Sequence, residues 1–150
     1  MDKVFSDSFE YKVIYIFEIN DEAHKGLLKI GDATLQTDKG VDELTANSHD
    51  LNQAAMARIK QYTNTVGVSV KLLHTELAIR IINKDGIPTI KAFRDYDVHR
   101  VLVNSGIKKK KLENSTSREW FELDIETALK AINAVKKSKS NLGDFHKDGY

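Results

Sequence analysis

Cysteine is absent from this chain, proline occurs once, and no apolar run approaches the ~20 residues that span a bilayer. The first absence excludes disulfides, thiolate chemistry and cysteine-type zinc sites, and it fits an intracellular protein. The opening Met1-Asp-Lys-Val-Phe5 has no charged-then-apolar signal pattern, so a cytoplasmic location is expected. There is no Gly-rich phosphate loop, no His-Glu-x-x-His and no Gly-x-Ser-x-Gly. Five histidines are scattered, and none stands at metal-ligand spacing apart from the face shared by Asp95 and His99. Charge of one sign is also missing: 23 Lys and Arg against 22 Asp and Glu leave a net +1, so any nucleic-acid surface must be local. The one strong local run is Lys108-Lys-Lys-Lys111, which by itself reads as a solvated loop.

What is present suits a single domain. A chain of 150 residues, 41% hydrophobic and 30% charged, supports one core. Its strongest stretch is Tyr11-Lys-Val-Ile-Tyr-Ile-Phe-Glu-Ile19, apolar on both faces in strand alternation, as expected of a central strand. Turn-formers from Asn20 to Gly26 lead to Leu27-Leu-Lys-Ile-Gly31, giving a β-hairpin. Tyr15 and Lys29 then carry polar tips into a hydrophobic hairpin, where they need a partner or a purpose.

Asp32 to Ser48 is polar and aperiodic and reads as a loop or insertion. A helix follows to Tyr62, with Ser48 or Asp50 as its N-cap and a buried stripe of Leu51, Ala55, Ile59 and Tyr62. Arg58 falls inside that stripe, its head either snorkelling to water or delivered to a pocket beside the sheet. Val66 to Ile82 reads as one long strand, with Leu73, Leu77, Ile79 and Ile81 on one face and His74 and Arg80 on the other. Lys84 to Pro88 forms a turn and Thr89 to Phe93 a short strand. A helix from Asp95 to Val103 ends at Asn104-Ser-Gly106, with Asp95 and His99 stacked four apart on one face. Asp95 can be an N-cap or a site carboxylate there, and His99 a core-edge imidazole or a site residue. Arg118 to Leu123 is strand-like, and Asp124 caps a last helix from Ile125 to about Lys137. Residues 138–150 form a polar tail or linker, leaving 1–137 as the domain.

Tyr15, Lys29, Arg58 and an acid on the Asp95 helix make a set that suits phosphodiester hydrolysis. Arginine forks onto phosphate oxygens, a carboxylate holds a hydrated Mg²⁺, and a tyrosine of lowered pKa accepts a proton from water. The order of short motifs strengthens this. Val13-Ile-Tyr15 with Lys29-Ile-Gly31 resembles the paired signature of the GIY-YIG nucleases, in the phage-type subfamily whose second motif reads KIG. Arg58-Ile-Lys-Gln-Tyr62 is similar to that family's arginine helix. Asp95-x-x-Val-His99-x-x-Leu102 is similar to its Glu-x-x-x-His segment, and Arg118-Glu-Trp-Phe121 to its closing motif. The resemblance implies an α+β fold, with a small central three-stranded antiparallel sheet flanked by helices, and cleavage of DNA with Mg²⁺ or Mn²⁺. It implies Tyr15 as general base, Lys29 assisting it, Arg58 stabilising the phosphate, Asp95 holding the metal and His99 beside it. Asp97 and Glu119 are the other carboxylates that could take the metal. Lys108, Lys109, Lys110 and Lys111 would then contact the DNA backbone. The alternative is a non-cleaving DNA-binding module of the same fold within a larger helicase or restriction protein.

Overall fold

A computed structural model describes residues 8–62, 69–110 and 120–138. The expected start of a strand at Val66, the side chain of Tyr62, Lys111, Arg118, Glu119 and the tail after Ser138 lie outside the described residues. The organising strand is β1 (Phe9–Ile19), whose Val13, Ile14, Ile16 and Phe17 are all fully buried. It pairs antiparallel with β2 (Leu27–Thr37) on one side and with β3 (Val70–Leu77) on the other. Two short strands lie beyond β2. One is β7 (Trp120–Glu122), which pairs with Leu27 and Leu28; outside it is β6 (Lys109–Lys110).

The sheet order is therefore β3-β1-β2-β7-β6, and the fold is mixed α+β. The sheet has five strands where three were expected. Of the two additions, β7 is the described part of the strand-like Arg118-to-Leu123 segment, and β6 falls in the lysine run that reads as a solvated loop. The expected loop from Asp32 is also corrected, because β2 runs on to Thr37 before a single 3-10 turn at Val41–Glu43. Its inward positions there are Gly31 and Ala33, so a real period-2 pattern carries almost no hydrophobic signal.

Helices cover both faces. On one, α1 (His49–Tyr62) buries Leu51, Ala55 and Ile59, and the last two pack in one cluster with Tyr15, Phe17, Leu27 and Trp120. Trp120 meets Phe17 edge-on at 5.6 Å and His24 at 4.6 Å between ring centroids. On the other, α2 (Asp95–Asn104) and α3 (Ile125–Lys137) press Val98, Leu102, Ala128, Ile132 and Val135 against Ile14, Ile16, Ile30 and Phe121. Asp124 caps α3 as expected, its Oδ1 accepting the Thr127 N–H at 2.8 Å. Glu76 on β3 bridges His74 at 2.7 Å and Lys136 at 2.8 Å, tying the end of α3 to the sheet. No helix of the described residues is long and apolar enough to cross a membrane.

The strand expected through Ile82 breaks at Ala78. The Ala78 N–H donates to the Lys12 carbonyl at 2.7 Å, and its own carbonyl accepts the Phe93 N–H at 2.9 Å. Beyond this pin the chain forms a separate two-stranded ribbon, β4 (Ile79–Lys84) and β5 (Ile87–Ala92). Asp85 and Gly86 close it with φ of 53° and 79°, the left-handed pair of a tight hairpin turn. The expected Lys84-to-Pro88 turn is thus only those two residues. The break inverts the expected facing: Arg80 is 4% exposed and donates to the Ser138 carbonyl, whereas Ile81 is 67% exposed.

Gly31 lies directly across from Tyr15 in the β1–β2 ladder, and the phenol ring lies over it. A Cβ on residue 31 would stand 2.5 Å from Tyr15 Oη and 2.6 Å from Cζ. Gly31→Ala should therefore destabilise the fold by about 1–3 kcal/mol in urea unfolding. Adding Tyr15→Ala should make the double variant markedly more stable than the sum of the two losses; strict additivity would show that the ring is not what residue 31 meets.

Candidate nucleic-acid interface

Asp32 follows Gly31 on β2 and faces the α2 side of the sheet. Its carboxylate takes the Arg94 guanidinium at both oxygens, Nε to Oδ2 at 2.7 Å and Nη2 to Oδ1 at 3.2 Å. Oδ2 also accepts the Asp95 N–H at 2.9 Å, so a strand residue caps the N-terminus of α2. Arg94 N–H donates in turn to Asp97 Oδ2 at 2.8 Å, completing the cap from within the helix. Burial alone would raise the Asp32 carboxyl. The Arg94 hydrogen bonds, the Asp95 N–H and the guanidinium charge outweigh it and hold Asp32 below the usual carboxylate range. Asp95 moves the other way: burial first, then the neighbouring Asp32 charge, push it up, and His99 offsets only part.

An open cleft of about 370 Å³ runs along β2 past its Leu27 and Leu28 pairing with β7. Its floor is Asp32, Ala33 and Thr34; Ala54, Ala57, Arg58 and Gln61 of α1 form one wall, and Arg94 and Lys12 complete it. Lys12 Nζ donates to Thr34 Oγ1 at 2.7 Å, and Arg58 Nη1 donates to Gln61 Oε1 at 2.8 Å. Three cations thus surround one carboxylate, and that carboxylate is already paired with one of them. The excess positive charge in a solvent-open groove suits an anion such as a phosphate.

The residues singled out in the sequence are divided between the two sides of the sheet. Tyr15, 2% exposed, and half-buried Lys29 share the α1 face with Arg58, which is exposed rather than buried in its helix stripe. Asp95 and His99 belong to the α2 side. His99 is 7% exposed, its Nε2 is 2.7 Å from the Ile30 carbonyl, and its ring packs on Phe121 at 5.0 Å. Of the carboxylates weighed for a metal, Asp97 is 5% exposed and engaged in the α2 cap. Lys108, Lys109 and Lys110 are exposed at the outer edge of the sheet, on the same β2 side as the cleft. Lysines there also keep an open strand edge from pairing with another chain.

Sequence reasoning missed Lys12, Asp32 and Arg94. The one signal was charge beside the motifs, Asp32 next to Lys29-Ile-Gly31 and Arg94 next to Asp95. A pair 62 residues apart shows itself only once the topology is known.

The chain matches the T5orf172 domain model over residues 12–136. No curated protein and no solved structure matches it.

The Asp32–Asp95 contact generates a test with a defined sign. Asp32, lowered in the fold, stabilises above its unfolded pKa and loses that contribution as pH falls through its folded value. Asp95, raised in the fold, does the reverse and costs stability as pH rises through its folded value. Asp95→Asn should therefore raise the unfolding midpoint near neutral pH in metal-free buffer, and the gain should vanish below about pH 4. A lowered midpoint at pH 7 would contradict the repulsion.

Proposed function

Because the chain belongs to the T5orf172 domain family, we propose that it binds DNA and hydrolyses phosphodiester bonds, with the β2-edge cleft receiving the phosphate. The observation that carries this reading is the trio of Lys12, Arg58 and Arg94 around a cleft in which, among the described residues, the one lining carboxylate, Asp32, is bound to Arg94. The GIY-YIG resemblance supplies the roles. Arg58 bonds the non-bridging oxygens and stabilises charge as the attacking water oxygen joins phosphorus and the bond to the leaving oxygen breaks. Tyr15, its hydroxyl over Gly31 beside this edge, takes the water proton, and Lys29 on the same face favours the phenolate. Lys108, Lys109, Lys110 and Lys111 contact the flanking backbone, the last lying outside the described residues.

The donor set fits a hard divalent cation held by few protein oxygens. Asp32 and Asp95 bring two adjoining carboxylates against one guanidinium, so one negative charge is left over for a proton or a metal. Among the described residues no group of three His, Asp or Glu is placed to hold a metal, so the ion would keep water and substrate oxygens as ligands. Asp95 would hold Mg²⁺ or Mn²⁺, with His99 beside it. The ion would supply Lewis-acid polarisation of a phosphate oxygen. A second reading, DNA binding without cleavage within a larger helicase or restriction protein, is favoured by the burial of Tyr15 on the face opposite Asp95.

Plasmid nicking in Mg²⁺ or Mn²⁺ at low salt, with duplex binding followed by anisotropy, separates these readings. Arg58→Ala should abolish nicking, weaken binding severalfold and reduce the salt slope by about 1, with an unchanged unfolding midpoint because Arg58 is exposed. Binding without nicking in either metal selects the second reading, and wild-type protein that does neither removes both.

A further inference from the structure

The β4–β5 ribbon is unexplained by anything the core requires. Its residues alternate, so Ile79, Ile81 and Asn83 share one face with Pro88, Ile90 and Ala92. Ile81 and Ile90 are direct cross-strand partners and are 67% and 56% exposed, with Pro88 and Ala92 exposed around them. This face carries no charged side chain. The ribbon is held to the body at its base, through buried Arg80 on the Ser138 carbonyl and Ile79 packed beside Val13 and Leu77, while Ile87 on the opposite face is 66% exposed. An isolated two-stranded ribbon gains nothing from presenting paired isoleucines to water, and such patches mark contact surfaces.

Resting on the DNA-binding reading above, we infer that this ribbon lies in the major groove of duplex DNA, with Ile81 and Ile90 against thymine methyl groups. Three observations select that occupant. The first is width, since a two-stranded ribbon is one of the two elements that the groove, about 12 Å across, admits. The second is continuity: β5 runs through Phe93, pinned to Ala78, straight into Arg94, which lines the cationic cleft. The base of the ribbon at Ala92 and the cleft residue Arg94 are thus two positions apart along the chain. The third is charge. Lys84 and Lys91 are exposed on the ribbon's other face, adding positive charge to an element whose one acid is Asp85, as suits a groove with phosphate walls. An uncharged apolar pad between such walls has one complementary feature on the bases, the C5 methyl of thymine.

Substituting uracil for thymine deletes that methyl and alters nothing else in the groove. The full chain is titrated, in metal-free buffer, onto an A·T-rich duplex of about 30 base pairs and onto its uracil counterpart. Wild-type protein should bind the uracil duplex about fivefold more weakly. Ile81→Ser/Ile90→Ser should bind both duplexes equally, at the weaker level, whereas Arg58→Ala should weaken both and leave the ratio intact. Equal wild-type affinity for the two duplexes overturns the inference alone, without touching the cleft. A ratio that survives in the double serine variant also overturns it. So does a dimer in sedimentation that the serines dissociate with the ratio unchanged, which would make the face a contact between two copies. Wild-type protein that binds neither duplex removes the inference together with the DNA-binding reading.

Discussion

The arrangement around the cleft depends on one carboxylate. Asp32 stands on β2, the middle strand in the sheet order, and holds the start of α2 by two routes, the Arg94 guanidinium and the Asp95 N–H. A helix N-terminus carries unsatisfied donors and partial positive charge, so an acceptor from a rigid strand fixes its position more firmly than a loop side chain would. Through Arg94 the same carboxylate shapes one side of the cleft, and through Asp95 it sets the charge balance on the α2 side. Arg94 is 42% exposed against 8% for Asp32, so the acid serves as the buried anchor and the guanidinium keeps a face toward solvent.

The clamp also joins two layers, tying a strand of the sheet to the start of a helix packed on it. Side chains of successive residues on β2 point to opposite faces, so Lys29 and Asp32 cannot share one. Among the described residues β2 pairs with β7 at Leu27 and Leu28, and farther along the strand Asp32, Ala33 and Thr34 floor the cleft. On the α2 side His99 holds the Ile30 carbonyl two residues before Asp32 and packs on Phe121 of β7.

The strongly patterned parts of the fold were legible in the sequence. The two-faced apolar run of β1, the stripe of α1, the Gly106 end of α2 and the Asp124 cap of α3 each carry a local physical signal, and each forms where expected. What was not legible depends on partners far away in the chain. Small residues at Gly31 and Ala33 hid the second half of β2. The break at Ala78 reverses which side of the following strand is buried, and only two backbone hydrogen bonds create it. Apolar periodicity across 73–81 was continuous, so no period count could locate that reversal. Tyr15, Lys29, Arg58 and Asp95 stand out by motif order, and of these four Arg58 lines the cleft. The residues that complete the cleft, Lys12, Asp32 and Arg94, lie beside those motifs and acquire their meaning only from pairing across the sheet.

The contact between the Tyr15 ring and Gly31 has a consequence for how this sequence can drift. Any L-residue at 31 places a carbon inside the phenol ring's volume, so position 31 is closed to change while a tyrosine stands at 15. A smaller residue at 15 would open it, at the loss of a large buried side chain from the α1-face cluster. Each single step passes through a less stable protein, and only the paired change recovers the packing. Positions 15 and 31 are therefore bound to vary together among descendants of this chain, making the first and second motifs a single unit of inheritance.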